Sequence, residues 1–357
     1  MAASINTLRK KVDRIDQQIL GLLNDRSRTV VKIGKIKQEN HKEVFAPERE
    51  KALLDRLTKN NRGPFPVHAI RAVFREILSA SRALQSPLKA SFLGPEASFT
   101  HVAALKYFGR STDLVPEGSI SKVFDAVDHE RTAYGVIPIE NSTEGIVGAA
   151  LDGFIDSNLK ILGEITLPIS HHLLSRASNL SSIKRIYSHP QATAQCQNWL
   201  EENLPGVPVF EAESTARAAE RAAQERHTAG IAGEQAAELY GLKIVRRHIE
   251  DNPNNMTRFL AIGKKSPARS GHDKTSVLFS VKDEVGILYR MLEPFHQNRI
   301  NLTKIESRPL KKKAWEYIFF LDMDGHAEEK KLKAAVAALE KRCLFMKILG
   351  SYPKATS

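Results

Sequence analysis

A run of short polar side chains follows an apolar, strand-like stretch at residues 134–148. The stretch reads YGVIPIENSTEGIVG, and Val136, Ile137 and Ile139 give it the apolar character of a buried strand. Asn, Ser and Thr are common in turns and at helix N-caps, so a turn leading into a helix is one interpretation. A ligand site is the other, because a strand end that leads into a helix presents backbone N–H groups to anions. The stretch alone leaves both open.

Similar polar turns follow other strand-like segments between residues 89 and 265. They occur in the sequences FLGPEASF, YSHPQAT and IAGEQ, each followed by a helical pattern. In α/β proteins, ligands bind at the carboxyl ends of strands. Several such ends together predict a cleft rather than a set of independent caps.

Polar side chains also interrupt the apolar faces of the helices predicted in residues 5–85. In the first helix, apolar residues recur at alternating three- and four-residue steps and form the apolar stripe Leu8, Val12, Ile15, Ile19 and Leu22. This stripe and those of the next two helices include five polar positions: Arg26, Lys37, Glu50, Ser81 and Gln85. Because buried charge is costly unless paired, either a shared polar cavity or interhelical ion pairs, as in coiled coils, would account for them.

The first helix is predicted to be unusually long. Its pattern continues for roughly 30 residues, which favours packing against a partner chain. Arg9 lies about 100° from Arg26 around the helix axis, so the two arginines are expected to serve different sites.

Composition restricts the class of protein. The chain has 357 residues, too many for one ordinary domain, and only two cysteines, Cys196 and Cys343. Neither a disulfide framework nor a thiolate metal site is therefore expected, and the cytoplasm is the expected location. No apolar run reaches the roughly 18 residues of a membrane span, and the N-terminus lacks the apolar segment of a signal peptide.

The net charge of +12 is spread along the chain. The one tight basic cluster, Lys311-Lys312-Lys313, is predicted to be a solvated hairpin tip. No stripe of interleaved basic and aromatic residues is present, so nucleic acid is not an expected partner. Small anionic substrates fit the dispersed charge better.

The pattern predicts a multidomain fold. Residues 1–88 are predicted to be an all-α unit, 89–265 an α/β unit, and 274–352 an α+β unit. Segments rich in Pro, Ser and charge, QSPLKA and KKSPARSGHDK, separate them. The last unit alternates as strand, helix, strand, strand, helix, strand, which is typical of the ferredoxin-like fold.

The first unit resembles the all-helical chorismate mutase family in LRKKVDRIDQQILGLLNDR, GKIK, PERE and SRALQ. The resemblance implies a ligand site formed by Arg9, Arg26, Lys37, Arg49, Glu50, Ser81 and Gln85. Two protomers interlock in that family, and the first arginine enters the partner's site. The pericyclic conversion of chorismate to prephenate requires a held conformer and a stabilised ether oxygen. By the resemblance, Lys37 and Gln85 donate to this oxygen, and Glu50 holds the ring hydroxyl.

The second unit resembles prephenate dehydratase, a two-lobed α/β family with a central cleft, in FLGPEASFTHVAA, IPIENSTEG, SHPQATAQC, ESTARAAE, IAGEQAAELYGL and NNMTRFLAIG. The site positions that it implies are Asn141, Ser188, Gln191, Gln195, Ser214, Thr215, Thr257 and Arg258, with Thr100 and Glu140 as further candidates. Prephenate loses carbon dioxide and its ring hydroxyl, so a hydrogen-bond donor to that hydroxyl and a clamp on the carboxylate are needed. The resemblance points to Thr257 as this donor and to Asn141 as a substrate ligand.

The third unit resembles the ACT family of amino-acid-sensing domains, in its GIL and ESRP sequences. The implied phenylalanine site consists of Gly286, Ile287, Leu288, Glu306, Ser307, Arg308 and Pro309. Such domains usually pair across a dimer, so feedback by phenylalanine and a homodimer are expected.

Together the resemblances imply an enzyme that converts chorismate to prephenate and prephenate to phenylpyruvate, under inhibition by phenylalanine. No cofactor or metal is implied. The alternative is a phenylalanine-sensing regulator with inactive catalytic sites, and a nucleic-acid-binding protein is a more distant one.

Overall fold

A computed structural model describes residues 4–40, 43–282, 284–309 and 317–355. The Lys311–Lys313 cluster lies outside the described residues. The chain divides into a smaller helical unit, residues 1–46, 53–88 and 108–113, and a larger unit, residues 47–52, 89–107 and 114–357. Among the described helices, none combines the length and apolar composition needed to cross a membrane.

The N-terminal helices are α1 (Ile5–Glu39), α2 (Pro47–Asn60) and α3 (Val67–Ala83). Helix α1 begins after Ser4, whose Oγ accepts a hydrogen bond from the Thr7 backbone N–H at 3.3 Å and so caps the first turn. Its 35 residues confirm the long, unbroken helix predicted from the sequence. Gln85 lies two residues beyond the end of α3, whereas the predicted apolar face carried the helix through it.

The apolar stripe of α1 is exposed in the single chain. Its five side chains, Leu8, Val12, Ile15, Ile19 and Leu22, have exposed fractions between 43% and 68%. Isolated exposed apolar residues are ordinary on a protein surface, but a continuous row of this length marks an interaction surface.

The first lobe of the larger unit has a mixed sheet of order β2-β1-β3-β11-β5, with β4 added to β3. Its strands are β1 (Lys89–Leu93), β2 (Asp113–Glu117), β3 (Tyr134–Asn141), β4 (Gly145–Ile146), β5 (Lys160–Pro168) and β11 (Met256–Gly263). Its helices are α4 (Phe99–Phe108), α5 (Ile120–Asp128) and α6 (Gly148–Asp156). Strand β11 returns from the second lobe and pairs antiparallel with both β3 and β5, which places residues from the two ends of the region side by side.

The second lobe has a sheet of order β10-β6-β9-β7-β8. Its strands are β6 (His172–Ser175), β7 (Arg185–Ser188), β8 (Val209–Glu211), β9 (Thr228–Ala232) and β10 (Lys243–Arg246). Its helices are α7 (Pro190–Gln195), α8 (Gln197–Asn203), α9 (Thr215–Gln224) and α10 (Glu234–Tyr240). The helical pattern that follows YSHPQAT forms two helices, since α7 ends at Gln195 and α8 begins after Cys196.

The C-terminal domain has the predicted order β12 (Asp273–Val281), α11 (Ile287–Gln297), β13 (Leu302–Pro309), β14 (Tyr317–Asp324), α12 (Lys330–Glu340) and β15 (Phe345–Pro353). Its antiparallel sheet has the order β13-β14-β12-β15. One face of the sheet packs against α11 and α12. The other face shares a hydrophobic core with the first lobe, to which Leu278, Ile318, Phe320 and Leu349 contribute. Strand β12, inside the sheet, is therefore buried on both sides.

Candidate active sites

The polar stretch after β3 forms a hairpin turn rather than a helix cap. Strand β3 ends at Asn141, and β4 at Gly145–Ile146 pairs back onto it. The Asn141 Oδ1 atom accepts hydrogen bonds from the backbone N–H groups of Thr143 at 2.9 Å and Glu144 at 3.2 Å. Gly145 adopts a φ of +83°, a conformation that favours glycine. Helix α6 begins after Val147, and no side chain caps it.

This turn lies at the edge of a cavity of about 760 Å³ lined by both lobes. A cavity of that size matches the usual range for small-molecule sites. Six of the eight predicted dehydratase residues line it, together with Thr100: Asn141, Gln191, Gln195, Ser214, Thr215 and Thr257. The strand ends predicted to converge therefore do converge.

Asn141 and Thr257 form the centre of the first lobe's contribution. They lie opposite one another on β3 and β11, and the Asn141 Nδ2 group donates to the Thr257 Oγ1 atom at 2.8 Å. The same amide donates to the Asn255 Oδ1 atom at 2.8 Å. Four hydrogen bonds hold the Asn141 side chain, two at Nδ2 and two at Oδ1, so its orientation is fixed. Since Thr257 accepts a bond from Asn141, its hydroxyl proton is available to a further acceptor.

A chain of amides links the lobes. The Gln195 Oε1 atom accepts from Asn255 Nδ2 at 2.9 Å and from His171 Nε2 at 2.9 Å. The Glu144 carboxylate accepts from Gln195 Nε2 at 3.1 Å and from the Gln191 side-chain amide. Burial is the main cause that lowers the pKa of His171, which favours a neutral imidazole that donates through Nε2.

Sequence reasoning missed Glu144, Asn255 and His171 as members of this network. Glu144 belongs to the polar turn already singled out, and Asn255 stands two residues before Thr257, so both were within recognised motifs.

Features that attract anions surround the same cavity. Helices α4 and α9 begin at its wall, where Ser98, Phe99, Ser214 and Thr215 are lining residues. Helix N-termini carry partial positive charge and unpaired N–H groups. Among the described residues that line the cavity, the arginine is Arg217, in the first turn of α9.

Two predicted dehydratase residues lie outside the cavity. Ser188 is fully buried, and its Oγ atom donates to the His189 carbonyl at 3.1 Å. Arg258 follows Thr257 on β11, and successive side chains of a strand point to opposite faces. Its guanidinium therefore points away from the cavity, to Glu164 and Asp322. The expected substrate contact of Arg258 is not present in this arrangement.

The helical unit brings three of the predicted mutase residues together. The Arg26 guanidinium donates to the Ser81 Oγ atom, and Gln85 Nε2 donates to the Ser81 carbonyl at 3.2 Å. Lys37 donates to the Val44 carbonyl at 2.9 Å. The Gln85 Oε1 atom is buried and has no hydrogen-bond partner within the described part of the chain. A buried polar atom left unpaired is typical of a site that a ligand or a solvent molecule completes.

The other three predicted mutase residues lie at the starts of helices α1 and α2. Arg9 is exposed in the first turns of α1, and Arg49 and Glu50 occupy the first turn of α2.

The predicted phenylalanine site does not lie on one face of β13. Ser307 pairs with Phe319 and Glu306 with Phe320, so their side chains point to opposite sides of the sheet. Arg308 donates to the Gly148 carbonyl at 2.8 Å and forms an ion pair with Asp152 on α6. Pro309 points away from Arg308 and is exposed. Gly286 has a φ of +75° and precedes Ile287 and Leu288 at the start of α11.

Three family models match the chain, and they fall on the regions described above. Chorismate mutase type II matches residues 8–86, prephenate dehydratase residues 90–267, and the ACT domain residues 275–341.

Individual relatives agree with this order. A bifunctional chorismate mutase/prephenate dehydratase from Aquifex aeolicus is 47% identical over 355 residues, which is 98% of each chain. The crystal structure of an Arthrobacter aurescens prephenate dehydratase in complex with L-Phe is 33% identical, with a TM-score of 0.68 over 74% of this chain and 90% of that one. A structure described as the quorum quenching acylase GqqA is 29% identical, with a TM-score of 0.68 over 75% of this chain and 98% of that one.

Proposed function

The chain belongs to the bifunctional chorismate mutase/prephenate dehydratase family, and from this premise we propose which of its residues carry out each reaction. Both enzyme domains and the ACT domain are present. The observation that carries the proposal is the hydrogen-bonded pair of Asn141 and Thr257 at a cavity with two helix N-termini in its wall.

In the dehydratase site, Thr257 donates to the departing ring hydroxyl of prephenate. Asn141 supports this role because its amide N–H donates to the Thr257 oxygen at 2.8 Å. A hydroxyl that accepts one hydrogen bond becomes a stronger donor in the next, since bonds in a chain polarise one another. A neutral threonine is a weak acid, so hydrogen bonding rather than full proton transfer assists the leaving group. Aromatisation of the ring drives the loss of carbon dioxide.

The two carboxylates of prephenate bind at the helix N-termini in the cavity wall. The first turns of α4 and α9 supply N–H groups, and Ser214, Thr215 and Arg217 lie beside them. Gln191 and Gln195 contribute amides, which donate to the Glu144 carboxylate in this structure. Arg217, which forms an ion pair with Glu220, serves as the clamp on a carboxylate.

In the mutase site, Arg26 and Ser81 bind a carboxylate of chorismate, and Lys37 and Gln85 donate to its ether oxygen. The position of the Gln85 side-chain amide beside Ser81, to whose carbonyl its Nε2 atom donates at 3.2 Å, supports this assignment. A pericyclic reaction requires no nucleophile, so fixed donors aimed at the developing charge are sufficient. Arg9, Arg49 and Glu50 join the site by family resemblance alone.

We further propose that the chain is a homodimer. The exposed apolar stripe of α1 supports a second copy as its cover, because two such helices bury each other's rows. Arg9, which points away from Arg26, would then reach the site of the partner. A cytoplasmic location and the absence of nucleic-acid partners are part of the same proposal.

Phenylalanine acts as the feedback inhibitor through the ACT domain. The complex of the Arthrobacter aurescens relative with L-Phe supports an amino-acid ligand. Gly286, Leu288 and Ser307 offer exposed contacts and Ile287 is partly buried, whereas Arg308 is held by α6 and acts through that helix.

A coupled assay on the purified chain tests these assignments. We expect chorismate to be consumed and phenylpyruvate to form, with suppression by phenylalanine. The variant Thr257→Ala should lower dehydratase kcat by about 10²-fold, the loss typical of one oriented donor, and leave mutase turnover unchanged. Unchanged phenylpyruvate formation would remove Thr257 from its role.

The assay also separates the alternatives. Phenylalanine binding without turnover would favour the regulatory protein with inactive sites. Because one fold hosts different reactions, as the acylase neighbour illustrates, the product itself must be measured.

A further inference from the structure

The reverse side of the two catalytic strands carries a second pair of residues. Thr257 pairs with Asn141 on one face of β11 and β3, and their chain neighbours Arg258 and Glu140 pair with each other on the opposite face. This opposite face meets the C-terminal sheet, whose Ile318 and Phe320 belong to the first lobe's core. Each proposed catalytic residue thus has an adjacent residue directed at the regulatory domain.

Arg258 connects three strands by hydrogen bonds. Its Nε atom donates to Glu164 on β5 at 2.8 Å, and its Nη1 atom donates to Asp322 on β14 at 2.6 Å. Its Nη2 atom donates to the Tyr352 hydroxyl on β15 at 3.0 Å. Two of the three partners therefore belong to the C-terminal domain.

Further contacts extend this cluster. Ser276 bonds to both Asp322, at 2.5 Å, and Tyr352, at 2.7 Å. Lys274 Nζ donates to Glu164 at 2.8 Å, and Lys304 Nζ donates to Glu140 at 2.6 Å. Three cations face three carboxylates: Arg258, Lys274 and Lys304 with Glu164, Asp322 and Glu140.

The centre of the cluster is buried. The Asp322 side chain is fully buried, and those of Arg258 and Glu164 are 12% and 6% exposed. Burial raises the pKa of the Glu164 carboxyl, but Arg258 and Lys274 lower it more, and its pKa lies below the ordinary value. Removing charges from water costs free energy, and the attraction between oppositely charged partners largely offsets that cost. Such a cluster therefore adds little to the stability of the fold. Its best attested use is to fix one arrangement of the packed elements.

We propose that Arg258 and Glu140 are positioning residues of the dehydratase site, held in place by Asp322, Tyr352 and Lys304 of the C-terminal domain. The backbone at Arg258 sets the position of the adjacent Thr257 hydroxyl, and the backbone at Glu140 sets that of Asn141. The ACT domain is then a structural component of the dehydratase site even without phenylalanine. This inference rests on the proposed role of Thr257.

Variants of the C-terminal partners test the inference without altering the first lobe. Asp322→Asn keeps the shape of the side chain but removes the charge that orients Arg258. We expect dehydratase kcat without phenylalanine to fall about tenfold with KM within about twofold, because only a group that acts in the transition state is displaced. Tyr352→Phe, which removes one hydroxyl, should lower kcat about threefold by the same mechanism.

Asp324→Asn is the matched control. Asp324 lies on the same strand as Asp322 and forms an ion pair with Lys354 at 2.6 Å, away from Arg258. Dehydratase kcat should be unchanged in this variant. Mutase turnover and the unfolding temperature, measured on each full-length variant, report damage that is not specific to the dehydratase site.

The outcomes are distinct. Wild-type kcat and KM in both Asp322→Asn and Tyr352→Phe would overturn the inference, as would an equal loss in Asp324→Asn. If Asp322→Asn fails to fold, Tyr352→Phe decides alone. A rise in KM for Arg258→Lys with no effect of Asp322→Asn would restore Arg258 as a substrate ligand and refute the positioning role. Absence of phenylpyruvate formation by the wild-type chain would instead refute the proposed function.

Discussion

In the helical unit, the row of apolar side chains from Leu8 to Leu22 is exposed, whereas the strands behind the dehydratase cavity are covered on their reverse side by the C-terminal sheet. No part of the chain that the structure describes covers the first surface. The second surface packs against the C-terminal domain of the same chain. The two proposed active sites therefore depend on different associations.

The two reactions take place on one chain, but each is expected to depend on a different association. Mutase turnover should fall when two chains are separated. Dehydratase turnover should fall when the packing of the C-terminal domain is disturbed. Substitutions in one region that leave the other unaffected are the means to test this separation.

The largest expected effect is that of Lys37→Ala. Removal of a cation that stabilises charge at the ether oxygen should lower mutase turnover by about 10²- to 10³-fold. Dehydratase turnover with added prephenate should be unchanged. Lys35→Ala, on an exposed position of the same helix, is the control and should leave both activities intact. Loss of both reactions in Lys37→Ala would show that the two regions are not independent.

A smaller effect is expected at Gly34. A Cβ atom at this position would lie 2.8 Å from Cγ and 3.0 Å from Cβ of Gln85, closer than two carbon atoms can approach. Gly34→Ala should displace Gln85 and lower mutase turnover about tenfold, as misplacement of a reacting group does. Gly21→Ala on the same helix has no atom within 4 Å of the added carbon. It should stabilise the helix by up to about 1 kcal/mol without a loss of activity. Equal activities of the two variants would argue that Gln85 is not a mutase donor.

The smallest expected effect is on pH dependence and concerns the larger unit. Burial is the main cause that lowers the pKa values of His101, His171 and His172. Below the unfolded-state pKa of about 6.5, the unfolded chain binds more protons than the folded one. The free energy of unfolding therefore decreases as the pH decreases. Hydrogen exchange at pH 7.5 and 5.5 should show a lower free energy of opening at the acidic pH in the second lobe. His172→Asn, which keeps an acceptor for the His248 backbone N–H, should reduce this dependence. A pH-independent free energy of opening would contradict the assignment of neutral histidines.

Local sequence patterns predicted the elements well, because each depends on neighbouring residues. The 35-residue helix α1, the βαββαβ order and the strand ends at the cavity all follow from periodicity and turn residues. The bond between Asn141 and Thr257 joins residues 116 positions apart, so no local pattern encodes it. Family resemblance named both residues but not their contact.

Arg258 and Glu306 lie apart from their predicted neighbours for the same physical reason. Arg258 and Glu306 belong to motifs that were read as sets, but a strand directs alternate side chains to opposite faces. Applied to TRF and ESRP, that alternation predicts that Thr257 and Arg258, or Glu306 and Ser307, cannot line one site together. The exposure of the α1 stripe, by contrast, agrees with the partner chain that its length suggested.

The break between α7 and α8 at Cys196 has a practical consequence for thiol chemistry. Cys196 is fully buried in the second lobe, and burial, with Glu250 and Asp251, raises its pKa well above that of an ordinary thiol. Burial also raises the pKa of Cys343, to about 12. Since the thiolate is the form that reacts, alkylating reagents should modify either cysteine only slowly in the folded protein. The alkylation rate of each cysteine would therefore report how often its own domain opens, and no additional cysteine or probe would have to be introduced.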